Sequence, residues 1–202
     1  MSLEVHLEDA SAPEPERGAF YFDLRSPEAY LAAERVLAVL PVVAEWIPVR
    51  SQALPGADTW EGFRCATDRE VALGRIEETA AARQLQPVRW PDPFPFDSEL
   101  ALRAATYAKE VGRVVAFAQA CFRQVFAGGR VPDETTVLVA GAACEMHPRA
   151  LLQAVERDAI VARLDAATEL AAQRGVRDVP AIWLPDGRVL HGDAALEEVP
   201  AP

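Results

Sequence analysis

The stretch Phe20-Tyr-Phe-Asp-Leu-Arg-Ser-Pro-Glu-Ala-Tyr-Leu31 decides how the chain is read. Its first half is an apolar run, Phe20, Tyr21, Phe22 and Leu24, with the length and composition of a buried strand. Ser26-Pro27 then opens an amphipathic helix. Serine is a favoured N-cap, and proline at the next position gives up no hydrogen bond, because its N–H would have had no partner there. A hydroxyl is thereby placed at a helix start, where unpaired backbone N–H groups attract anions such as a thiolate. Taken alone, Ser-Pro marks only the start of a helix.

Outward from this stretch, strand one is predicted over Ala19 to Leu24. Helix one follows from Pro27 to Leu40, burying Tyr30, Leu31, Val36, Leu37 and Leu40, and Pro41 stops it. A second apolar run, Val42 to Val49, makes a strand–helix–strand unit, which requires parallel strands. Arg50 to Arg64 is rich in turn formers and carries Trp60 and Phe63, which either cover a ligand or pack on the core. Thr67 caps a helix to Gln86. The segment Pro87-Val-Arg-Trp-Pro-Asp-Pro-Phe-Pro-Phe96 then excludes a regular helix or central strand. Asp97 and Ser98 cap Glu99 to Glu110, and helical spacing resumes from Arg113 to Phe126. Shorter helices start at Pro132 and Pro148, and Ala159 to Arg174 forms a longer one that closes at Gly175, a residue suited to the left-handed turn beyond a helix.

Strand patterning returns only at the C-terminal end, in Gly175-Val-Arg-Asp-Val-Pro-Ala-Ile-Trp-Leu-Pro-Asp-Gly-Arg-Val-Leu-His-Gly-Asp193. Val176 to Leu184 and Arg188 to His191 read as a hairpin turned at Pro185-Asp186-Gly187, followed by a short helix from Ala194 to Val199. Val179-Pro180 falls inside an apolar run, a place where an ordinary central strand rejects proline.

Phe22-Asp-Leu-Arg-Ser-Pro-Glu-Ala-Tyr-Leu31 and Gly175 to Asp193 together resemble the two ends of the DsbA-like thioredoxin-fold family. The match is nearest to its glutathione-dependent branch, the 2-hydroxychromene-2-carboxylate isomerases and kappa-class glutathione transferases. The resemblance implies an α/β, thioredoxin-like fold with an all-helical insertion. Residues 1–18 would be a flexible leader, 19–66 and 158–202 the thioredoxin-like domain, and 67–157 the insertion, expected to supply one wall of a cleft above Ser26. It implies a cis Val179-Pro180 bond facing Ser26 and glutathione as cofactor. Ser26 would be catalytic, donating to the glutathione thiolate that adds to a small unsaturated aromatic substrate. Arg25, Val179, Pro180 and Asp193 would bind the cofactor, Val179 along its backbone and Asp193 at its charged end. As partners it implies a small-molecule substrate and allows a homodimer.

Ser26 and Ala29 occupy the two positions that hold Cys-x-x-Cys in redox relatives, so the site cannot form a disulfide. Three further positions depart from the isomerase pattern. Glu28 stands where an aromatic residue is usual, and its carboxylate would repel a thiolate. Asp193 is not followed by the arginine that accompanies it in relatives. Asp97-Ser98 replaces a common Asn-Thr. A second reading therefore stands beside the enzyme: a scaffold with a degenerate Ser-x-x-Ala site, serving as a binding module without thiol redox chemistry.

Composition narrows the remaining classes. At 202 residues the chain is long enough to bury one substantial core. A net charge of −11, with no basic stripe, argues against a nucleic-acid partner. No apolar run approaches the roughly 18 residues a membrane helix needs, and Met1 to Arg17 lacks the apolar core of a signal peptide, so a cytoplasmic location is expected. Cys65, Cys121 and Cys144 show neither zinc nor redox spacing; Cys65, in a polar loop, is the best placed of them to react. His147 and His191 read as structural or exposed, although His191 sits near the expected site and has the chemistry of a base near neutral pH.

Overall fold

The structure is a computed structural model that describes residues 17–39, 44–56, 60 and 62–198. The leader up to residue 16, Leu40, the Pro41 stop, Val42, Val43 and Val199 lie outside the described residues. Strand β1 (Ala19–Phe22) is wholly buried, as its unbroken apolar run requires. It pairs in parallel with β2 (Glu45–Pro48), with Phe20 opposite Trp46. On its other side it pairs antiparallel with β3 (Ala181–Trp183), and β3 pairs antiparallel with β4 (Val189–His191). The sheet order is β2-β1-β3-β4. Between β2 and β3 come α3 (Ala66–Ala82), α4 (Glu99–Glu110), α5 (Val114–Phe122), a π-helical turn (Arg123–Ala127), α6 (Glu134–Ala143), α7 (Pro148–Val155) and α8 (Asp158–Gln173). Among the described residues this block contains no strand. A small mixed sheet flanked by a large helical insertion is thus the architecture, as expected.

The alternation of side chains along β1 divides the core. Phe20 and Phe22 face the insertion, where they join Phe117, Phe122, Val125 and Phe126; Tyr21 faces the other way, toward Ile47, Val49, Ala171 and Val179. On the insertion side a chain of rings crosses the molecule. Trp46 meets Phe22 at 5.8 Å, Phe22 meets Phe122 at 6.0 Å, and Phe126 meets Phe94 at 6.3 Å. Phe94 in turn meets Trp60 at 5.2 Å, edge to face. Such pairs contribute about 0.5–1.5 kcal/mol each beyond burial. The proline-rich segment is therefore the seat of Trp60, and two of its proline bonds, Asp92-Pro93 and Phe94-Pro95, are cis.

Two local expectations change. Helix one does not run to Leu40: α1 (Pro27–Ala33) ends at Glu34, and a separate turn, α2 (Val36–Val39), keeps Val36 buried while Leu37 is 60% exposed. The break coincides with Glu34 accepting two hydrogen bonds from Arg123 and Arg35 donating to Glu197, which turn the two side chains in different directions. The strand expected from Val176 begins only at Ala181, because Pro180 has no N–H to give to a ladder.

Candidate functional site at the start of the first helix

At the end of β1 the chain is held by a buried carboxylate. Asp23 Oδ1 accepts from the Arg25 N–H at 3.1 Å and the Ser98 hydroxyl at 2.7 Å. Its Oδ2 accepts from the Ser51 N–H at 2.9 Å and the Ser51 hydroxyl at 2.8 Å. One side chain thus ties β1, the turn after β2 and the start of α4 together. Burial pushes its pKa up, against the pull of these four donors. Ser98 is drawn away from capping α4, and Asp97 caps in its place, accepting from the Glu99 N–H at 2.8 Å.

The turn anchored by Asp23 sets Ser26 as the N-cap of α1. Its Oγ accepts from the Ala29 N–H at 3.1 Å. The hydroxyl proton has two acceptors within reach, Glu28 Oε2 at 3.3 Å and the Val179 carbonyl at 3.4 Å. Val179-Pro180 is cis and contacts Ser26, as expected from the sequence. The Val179 N–H donates to Asp178 Oδ1 at 2.7 Å, and the Gly192 N–H donates to the Pro180 carbonyl at 2.8 Å.

These groups face a cavity of about 290 Å³ lined by Arg25, Ser26, Glu28, Ser51, Trp60, Asp178, Val179, Pro180, His191 and Gly192. The structure therefore brings Ser26, Arg25, Val179 and Pro180 to one cavity. Asp193 is next to its wall but not on it: its carboxylate is gripped by both terminal nitrogens of Arg83, at 2.7 Å on Oδ1, with Arg35 4.0 Å away. The 67–157 block does not line the cavity, contrary to the expected cleft wall. Trp60 forms that side instead, because Trp90 and Phe94 hold it there from behind.

Glu28 is held more tightly than its first-turn position in the sequence implies. Its Oε2 also accepts from Trp60 Nε1 at 3.0 Å, and burial, followed by weaker repulsion from Asp178, holds its pKa above the usual carboxylate range. Only its position one residue after Ser-Pro hinted at a role, and the tryptophan that holds it is 32 residues away. Ser51 and Asp178 carried no signal in the sequence. His191 does reach the cavity, but its Nε2 accepts from the Arg177 N–H at 3.0 Å, and burial and Arg177 push its pKa down. His147 is exposed and is not among the residues that line the cavity. Cys65 is exposed; Cys121 is buried, with its thiol pushed up to about 12 by desolvation. Among the described residues no cluster of His, Cys, Asp or Glu could hold a metal ion, and no helix is long and apolar enough to cross a membrane.

The chain matches the DSBA-like thioredoxin domain over residues 19–200. It belongs to that family. No curated protein sequence matches it. The DSBA-like fold is shared with a solved 2-hydroxychromene-2-carboxylate isomerase, at a TM-score of 0.78 and 20% identity over 91% of this chain and 92% of that one. A "probable DsbA oxidoreductase" of Streptomyces coelicolor aligns at 0.70 and 21% identity over 91% and 86% of the two chains. The cytosolic disulfide reductase DsbM of Pseudomonas aeruginosa aligns at 0.59 and 17% over 86% and 87%. At such identities the likeness is one of fold. Within the DSBA-like family this chain lacks the Cys-x-x-Cys pair, so dithiol–disulfide exchange of the DsbA type is not available at Ser26–Ala29.

Proposed function

We propose that this DSBA-like protein is a glutathione-dependent isomerase or transferase acting on a small unsaturated aromatic substrate. The observation that carries the reading is the meeting of the Ser26 hydroxyl with the carbonyl before cis-Pro180, on a cavity near the lower end of the roughly 300–1,000 Å³ typical of small-ligand sites. The residues fit such a ligand. Ser26 offers a hydroxyl donor for sulfur and Val179 a backbone carbonyl for a peptide N–H, and the Asp193–Arg83 pair, outside the cavity wall, would be met only by the zwitterionic glutamyl end of a ligand that reaches past Gly192. Arg83, directly after α3, would stand in for the arginine missing after Asp193 in sequence.

Glutathione, when bound, supplies a thiolate able to add reversibly to a conjugated double bond or to remain in the adduct. The protein's part is to orient and to stabilise charge. The Ser26 hydroxyl turns from Glu28 and Val179 to the sulfur, a hydrogen bond to a charged group worth about 1.5–3 kcal/mol. Trp60 closes one side of the site with an apolar ring. Because α1 has only seven residues, this stabilisation rests on the hydroxyl rather than on a long helix dipole.

A second reading has its own observation. The Val179 N–H is spent on Asp178 and the Ser26 hydroxyl on internal acceptors, as suits a binding module with a degenerate site. Calorimetry and thermal protection by millimolar glutathione separate the two. Saturable binding with an ultraviolet thiolate band supports the enzyme; neither signal leaves the binding module.

A further inference from the structure

We propose that Glu28 is the proton acceptor of this site, taking the thiol proton of the bound ligand on its carboxylate as the Ser26 hydroxyl swings to the sulfur; the inference rests on the glutathione reading above. It starts from a hydrogen bond that two partners cannot both keep. Ser26 has one hydroxyl proton, and Glu28 Oε2 lies 3.3 Å from its oxygen. Once that proton is given to a ligand sulfur, Glu28 loses a donor that favours its charged form, so its affinity for a proton rises. The same movement therefore stabilises a thiolate and strengthens the base beside it. The proton balance closes within the site: the S–H bond breaks, its electron pair stays on sulfur, and the proton ends on Glu28. The pair's net charge is unchanged by the transfer. A neutral Glu28 then sits beside the charged sulfur, which removes the repulsion expected from the sequence.

The surroundings single out Glu28 among the titratable groups of the cavity. Trp60 Nε1, 3.0 Å from Oε2, holds the carboxylate in place after Ser26 leaves it. Asp178, from the loop before β3, adds negative charge that favours protonation of Glu28, and its own Oδ1 is bonded to the Val179 N–H. His191, from β4, has its Nε2 occupied by the Arg177 N–H. Arg25, which precedes Ser26, lines the same cavity and is a cation unable to accept a proton. Burial holds the Glu28 pKa above the ordinary carboxylate value, the direction that makes a carboxylate a stronger base.

The test is the number of protons released when glutathione binds to the full chain, measured by calorimetry in buffers of different ionisation enthalpy at a pH where Glu28 is charged. The thiolate ultraviolet band is recorded in parallel. The wild type is expected to form the thiolate with almost no proton released to buffer. Glu28→Gln, which keeps an acceptor for Trp60 and Ser26, is expected to release about one proton per thiolate formed. Trp60→Phe removes a donor from Glu28 and should move the onset of proton release in the wild-type background to higher pH. Equal release from wild type and Glu28→Gln, with a thiolate band in both, overturns the role of Glu28 and leaves the glutathione reading standing. Glutathione binding without a thiolate band, or no binding, in the wild type overturns both.

Discussion

The Ser26 hydroxyl and the Val179 carbonyl oxygen lie 3.4 Å apart although 153 positions separate them in the chain. The antiparallel pairing of β1 with β3 creates this meeting, because it brings the segment before Ala181 alongside the segment after Phe22. Ser26 has a second task in the same place, as the cap of α1, and the two can be measured separately. Ser26→Ala is expected to cost about 1 kcal/mol of stability through the lost cap on the Ala29 N–H, read by urea unfolding. Glutathione binding should weaken about tenfold, read by calorimetry, since the bond to sulfur is charge-assisted. A stability loss with unchanged binding would confine Ser26 to capping.

Gly56 is expected to control the position of Val179. Its N–H donates to the Arg177 carbonyl at 2.7 Å, and a Cβ there would come to 2.3 Å from that same oxygen. The obstacle is backbone and cannot swing aside. Gly56→Ala should cost about 1–3 kcal/mol and displace the Arg177–Val179 segment. Glutathione affinity should fall with it, although residue 56 is not part of the cavity wall. Full stability in the alanine variant would show that the loop yields freely.

Asp23→Asn tests the hub beneath the site. The amide can replace only one carboxylate oxygen, so its NH2 must face either the Ser51 N–H or the Arg25 N–H, neither of which can rotate away. A loss of about 1–3 kcal/mol is expected, with Asp23→Ala costing more because both N–H groups then lose their acceptor. Thermal unfolding of both variants checks the order.

Acid sensitivity should trace in part to Glu99. Arg50 donates to it at 2.7 and 2.8 Å and Arg103 at 2.7 Å, and these guanidinium groups lower its carboxyl to about 2 from 4.5. A depressed carboxylate contributes stability that is complete above the unfolded value and is lost as pH falls from about 4.5 toward 2. With a side chain 28% exposed, screening reduces the contribution to about 1 kcal/mol. Glu99→Gln should be less stable by about that amount at pH 7 and lose less on acidification. Parallel pH–stability curves for wild type and variant would refute this.

What the sequence determined alone was local or periodic. The apolar run of β1, the Ser-Pro cap, the helical spacing of Phe117, Cys121 and Phe122, and the turn at Asp186-Gly187 each specify their element through neighbours a few residues away. The signatures at both chain ends were enough to specify the α/β thioredoxin-like fold and the meeting of Ser26 with cis-Pro180. What only the tertiary structure decided were the partnerships of side chains remote in sequence. Ser98 serves Asp23 across 75 positions instead of capping its own helix. Arg83 reaches Asp193 across 110 positions, and Trp60, seated by a chain of rings, holds the Glu28 carboxylate. No periodicity encodes these pairs, because each depends on the orientation of two separately formed elements once the core between them has packed. Glu28 reads as a plain first-turn acid in sequence; its buried setting and its hydrogen bonds to Ser26 and Trp60 exist only in the folded chain.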